Sequence, residues 1–233
     1  MTSSVVLLLK GPMQSWDDRS RYKRRTTRPI PTKSGVIGLL AAAQGRRRTD
    51  PIEDLARLRF AVRVDDPGTL LRDYQTAQSW QTGGKTNLVA RYYLSDAAFL
   101  AAVESDDDGF IEALHSALRA PRFPLYLGRR SCPAPVNLAL GVDSSDAVTA
   151  LRKQPWMANE RHRAQRSKNV ALPIFRDAKP GEVGVAAQDV PVSFSQEHRQ
   201  YEWRQVVEEA EPVRIDNPNG GVNDPFFEAV LTV

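Results

Sequence analysis

The chain has 233 residues, 41% hydrophobic and 26% charged, with one cysteine, Cys132. This size and balance suit one large globular domain or two small ones, and they exclude collagen-like, coiled-coil and disulfide-stapled classes. The net charge of +4 is uneven: residues 1–48 carry 11 basic and two acidic residues, the remainder 21 basic and 26 acidic. A local basic field suits a polyanion, although a solvated surface gives the same count. The apolar run at 5–9 is too short for a signal segment or a membrane span, so a reducing, cytoplasmic setting without membrane is expected.

In chain order, residues 5–9 read as a strand buried on both faces, ended by Gly11-Pro12. Residues 12–31 are polar, basic and flanked by proline, which predicts a long loop. A helix follows to about Gln44, with Thr32 as N-cap, Gly45 as stop and Val36, Leu39, Leu40 and Ala43 as apolar stripe. Residues 60–64 alternate with period two as a half-buried strand, and 91–103 form a second, long strand. The polar stretch 72–90 between them holds Tyr74, Trp80 and a Gly83-Gly84 turn, which predicts a protruding β-hairpin. Asp106-Asp107-Asp108 precede helical spacing at Phe110, Ile111, Leu114 and Leu118; the carboxylates fit an N-cap and the helix dipole better than a metal. Residues 124–127 are read as the next strand. The resulting order, strand–helix–strand–strand–helix–strand, is ferredoxin-like, without the aromatic signature of RRM stacking.

In the second half, residues 146–153 read as a short helix and 152–179 as a basic stretch containing Arg161-His162-Arg163. Residues 190–194 and 202–207 read as strands. The predicted organisation is an α+β ferredoxin-like domain at 1–142 with a thumb hairpin at about 70–92, a β-rich extension at 143–207, and a loosely held acidic tail at 208–233.

Few motifs call for chemistry. Gly84-Lys85-Thr86 ends like a P-loop, but Ser79 stands where its first glycine belongs. His115, His162 and His198 lack metal-ligand spacing, so no metal or cofactor is expected. The start of the first helix, Thr32-Lys33-Ser34-Gly35, reads as a phosphate site beside the basic loop carrying Arg24, Arg25 and Arg28, with a plain helix cap as the alternative. Arg129 and Arg130 follow an apolar run and a glycine, which suits either phosphate contact or internal ion pairs.

Taken together, the motifs resemble a known family. They are Gly11-Pro12-Met13-Gln14-Ser15-Trp16, Arg25-x-Thr27, Pro31-Thr32-Lys33-Ser34-Gly35-x-x-Gly38-Leu39-Leu40, Leu71-Arg72-Asp73-Tyr74, Tyr93-Leu94-x-Asp96-Ala97-x-Phe99, and Tyr126-Leu127-Gly128-Arg129-Arg130-Ser131-Cys132-Pro133. In this order and spacing, over about residues 5–140, they are similar to CRISPR-associated protein 5 of type I-E surveillance (Cascade) complexes. Asp17 departs from the family's usual glycine. The resemblance implies a modified ferredoxin-like, RRM-like fold with a β-hairpin thumb. It also implies a non-catalytic subunit for antiviral defence that binds the 5′ handle of the CRISPR RNA. The implied partners are the backbone subunit, the large PAM-reading subunit and, through the complex, target DNA. The RNA-contacting residues are then expected among Gln14, Ser15, Trp16, Arg24, Arg25, Thr27, Arg28, Thr32, Lys33, Ser34, Arg72, Tyr74, Trp80, Lys85, Arg129 and Arg130. The alternative is a metal-independent endoribonuclease, as in type I-C relatives, for which His162, Tyr22 or Tyr74, and Lys33 or Lys85 are the available groups.

Overall fold

The computed structural model describes residues 2–17, 24–78, 81, 83, 86–195 and 197–220, without the side chains of Arg24, Arg25 and Asn87. Trp80 and Lys85, expected at the RNA, lie outside the described residues.

The central strand β1 (Ser3–Lys10) is buried on both faces, as its unbroken apolar run requires. Val5, Leu7 and Leu9 enter one core and Val6 and Leu8 a second on the other side of the sheet. After β2 (Met13–Gln14) and β3 (Arg24–Arg25) comes helix α1 (Lys33–Gln44). The Thr32 hydroxyl accepts the Gly35 N–H at its start, and Gly45, at φ 81°, ends it. A short helix α2 (Glu53–Ala56) leads to β4 (Arg59–Asp66). Next come the hairpin strands β5 (Thr69–Ala77) and β6 (Asn87–Ser95), then β7 (Ala98–Ser105). The long strand read at 91–103 is therefore two strands, broken at Asp96, whose φ is 58°. Helix α3 (Asp108–Arg119) starts on the Asp107 carboxylate, which accepts the Phe110 N–H.

The fourth core strand is β8 (Ala139–Asp143) rather than residues 124–127, which form only the isolated bridge between Tyr126 and Pro133. Apolar character alone did not separate the two segments; pairing with β1 does. The order β4-β7-β1-β8, antiparallel throughout, is the ferredoxin-like arrangement.

The sheet continues past residue 142. Helices α4 (Ala147–Lys153) and α5 (Glu160–Gln165) precede β9 (Asn169–Leu172), β10 (Ile174–Asp177), β11 (Val185–Ser193), β12 (Gln200–Glu208) and β13 (Val213–Asp216). Strands β10, β12 and β11 extend the sheet beyond β4 to seven strands, and β13 pairs with β9. Part of the segment read as a tail is thus strand, held because Val213 joins the second core.

Residues 60–64, read as half-buried, are covered on both sides. Arg63 and Asp65 face the second core, fully buried and paired at 2.7 Å. Arg63 also donates to the carbonyls of Leu151, Gln154 and Pro155, and Asp65 accepts the Met157 N–H at 2.6 Å. An ion pair in the interior holds when every donor finds an acceptor, and here the last turn of α4 and the loop after it supply the acceptors.

Candidate nucleic-acid interface

The hairpin strands β5 and β6 pair from Thr69 opposite Ser95 to Ala77 opposite Asn87 and form a sheet separate from the main one, with β2 and β3 beside β6. Strand alternation gives the hairpin two faces. One carries Leu70, Arg72, Tyr74, Leu88 and Tyr92. Tyr74 is 58% exposed and Leu88 68%. The Arg72 guanidinium lies 4.2 Å from the Tyr74 ring centroid and 5.8 Å from that of Tyr92. A cation between aromatic rings on an open strand face is a platform on which bases stack without sequence preference.

The other face carries Leu71, Asp73, Arg91 and Tyr93. Against it packs the turn at 128–132. Gly128 has φ 86°, and a Cβ there would stand 1.8 Å from the Ser15 carbonyl oxygen, so only glycine lets this turn meet the loop after β1. The turn aims Arg129 at β6: its Nη1 donates to the Tyr92 carbonyl at 3.2 Å, its Nη2 to that of Thr26 at 3.0 Å, and its guanidinium lies 5.0 Å from the Tyr93 ring centroid. Arg130 is exposed. Burial alone would push the Tyr93 phenol up, but Ser131, Arg129 and Arg91 outweigh it and hold the group below its ordinary value.

The Gln14-Ser15-Trp16 loop turns inward. Gln14 donates to the carbonyls of Leu9 and Ala97 at 2.9 and 2.7 Å and accepts the Trp16 indole N–H at 3.0 Å. The Ser15 hydroxyl donates to the Tyr92 carbonyl, and the Thr27 hydroxyl accepts the Trp16 N–H at 2.9 Å. Arg28 joins through its backbone N–H, which donates to the Trp16 carbonyl. A Cβ on Gly35 would reach 2.8 Å from the Trp16 ring, so glycine lets the indole lie against α1. Gln14, Ser15 and Trp16 are buried braces of the hairpin base, not an exposed contact surface.

The helix start is also internal. Thr32, Lys33 and Ser34 are buried, Lys33 being 6% exposed. The Lys33 backbone N–H donates to Asp189 at 2.8 Å and its ammonium to Asp177 at 2.9 Å. Arg204 joins both acids, donating to Asp189 at 2.6 and 2.9 Å and to Asp177 at 2.7 Å. The anion at this helix start is therefore the protein's own carboxylate, brought by β11, and no phosphate is needed there. The sequence carried no sign of it, because Asp189 lies 156 residues further on.

His162, read within a basic loop, sits in α5. Its Nδ1 is 3.1 Å from the Asp66 carboxylate, and its ring packs edge-on against Trp156. Arg91 and Tyr92, which the motifs did not single out, also belong to the hairpin's two faces; the usable signal was their alternation on β6 opposite Asp73 and Arg72.

A ferredoxin-like sheet with a hairpin standing off it and an arginine-aromatic face defines a protein of the RRM-like class. Residues 4–207 match the family described as CRISPR-associated protein (Cas_Cas5), and the chain belongs to that family. It is 37% identical over 171 residues to the CRISPR system Cascade subunit CasD of Escherichia coli (strain K12), covering 65% of this chain and 76% of that protein. Among solved structures it resembles a chain of a CRISPR RNA-guided surveillance complex, with TM-score 0.75, 29% identity and 98% of each chain covered. It also resembles a Cas protein crystal structure, with TM-score 0.68, 35% identity, and 95% of this chain and 100% of that one covered.

Proposed function

We propose that this chain is the RNA-binding subunit that caps one end of a type I-E CRISPR surveillance complex and grips the 5′ handle of the CRISPR RNA, without cutting it. The observation that carries this reading is the exposed hairpin face, where Arg72 lies between Tyr74 and Tyr92 on a family fold whose curated relative is a Cascade subunit. Exposed Leu70 and Leu88 on the same hairpin suit contact with the backbone subunit. The large PAM-reading subunit and target DNA are reached through the complex.

The arrangement of the candidate catalytic groups supports a non-catalytic role. Cleavage of RNA without metal needs a base, an acid and a charge stabiliser around one phosphate. Here Lys33 is paired with Asp177 beside the first core. His162 is paired with Asp66 and packed on Trp156, a member of the second core on the opposite face of the sheet. The test is to incubate the purified chain with repeat RNA in EDTA and to score binding and cleavage separately. Binding without cleavage is the expected result. Specific cleavage abolished by His162→Ala would establish the endoribonuclease instead.

A further inference from the structure

Arg91 lies at the centre of the hairpin's second face. Register sets Asp73 across from it on β5 and Arg25 across from it on β3. Its Nε is buried and meets no hydrogen-bond acceptor. A buried cationic donor left in this state bears its full desolvation penalty. Asp73 does not relieve it, since no ion pair joins the two among the described residues.

Arg129 converges on the same spot. It spans β6 and the end of β3 through the carbonyls of Tyr92 and Thr26, and it meets no carboxylate among the described residues. Two arginines on one face of the hairpin, one of them with an orphaned donor, thus describe a site for a single anion.

We infer that β6 and the 128–132 turn form a phosphate clamp, in which Arg91 and Arg129 hold one backbone phosphate of the bound RNA. The inference rests on the RNA-binding reading above and adds the chemistry of one contact. A phosphate fits better than a base. Guanidinium forks match its oxygens, and Tyr93, the ring on this face, is buried and offers no surface for stacking. The hairpin therefore divides its work: bases meet the Arg72 and Tyr74 face, and the backbone meets the Arg91 face.

The test uses the full chain and repeat RNA, with affinity measured across a salt series. Arg91→Gln is expected to weaken binding about tenfold and to reduce the slope of log K against log salt by about 0.7, the value of one lost phosphate on a single strand. Its melting temperature should stay at or above that of the parent, because the buried Nε donor that is removed has no acceptor to lose. Arg161→Gln, exposed on α5, is the control and should leave the slope unchanged. A methylphosphonate scan of the RNA should find one position whose neutralisation weakens binding to the parent protein and has no further effect on Arg91→Gln. Should Arg91→Gln fail to fold, Arg91→Lys carries the same scan, with a reduced penalty at that one position expected. A parental slope in the folded variant, or a scan with no position coupled to residue 91, overturns the clamp. A parent protein that does not bind repeat RNA overturns the RNA-binding reading itself.

Discussion

Lys33 and Asp177 form an ion pair at 2.9 Å that joins the start of α1 to the C-terminal strand β10, and both groups are largely withdrawn from water. The pair is part of a network in which Arg204 grips Asp177 and Asp189, while Asp189 caps the helix and Asp177 also accepts the Phe60 N–H at 3.0 Å. The N-terminal ferredoxin-like core and the three strands added beyond β4 are thus tied by charge as well as by backbone pairing. Lys33 serves this tie.

Lys33→Met should therefore act on stability. Removing one partner of a buried pair costs about 3–5 kcal/mol, because the other charge is left behind. Asp177 keeps Arg204, so the lower end is expected. Thermal melting should show the loss, and the folded fraction should retain the parental salt dependence of RNA binding. A reduced salt slope at unchanged stability would return Lys33 to the RNA.

Arg63→Met should be more severe. The variant leaves Asp65 without its partner in the second core and strips the donor from three carbonyls, one in the last turn of α4 and two in the loop that follows it. A loss of about 5 kcal/mol is a large share of the stability of a domain this size. The check is a urea titration: the midpoint should collapse, and a variant within 1 kcal/mol of the parent (about the error of such a comparison) would contradict the assigned role.

His162 predicts a pH dependence. Its burial lowers its pKa from the ordinary imidazole value, outweighing the nearby Asp66 carboxylate, and Arg166 adds to the fall. The unfolded chain then binds more protons than the folded one between the two values. The associated stability is complete above the unfolded value of about 6.5 and is lost as pH falls through the folded value. Melting temperature followed from about pH 8 to 5 should decline, and His162→Gln should flatten that decline. An equal slope in the variant would assign the dependence to other groups.

Tyr74→Ala should separate the hairpin's two possible uses. The ring is mostly exposed, so its removal should change stability by less than about 0.5 kcal/mol. If bases stack on it, RNA affinity should fall by about 1–3 kcal/mol. Joining Gln75 to Val89, which already face each other, through a two-residue turn should likewise preserve the melting temperature while impairing assembly with guide RNA. A shortened hairpin that melts early would show instead that the tip supports the core.

What the sequence determined by itself is what depends on neighbours a few residues apart. The caps at Thr32, Asp107 and Asp146 and the left-handed stop at Gly45 are local, set by hydrogen bonds that span at most a few positions, and each hairpin strand follows its own two-residue side-chain period. The family was legible as well, because its motifs mark the tight contacts of this core, such as Gly35 under Trp16 and Gly128 against Ser15. Only the tertiary structure decided which strand closed the sheet, since residues 124–127 and 139–143 are alike in apolar character and differ only in pairing with β1. It likewise decided what each charge is for. Lys33 and Arg91 both lie in basic or mixed segments. The first meets an acid 144 residues away, while the second meets none among the described residues, and whether an arginine or lysine is neutralised depends on groups brought from elsewhere in the chain.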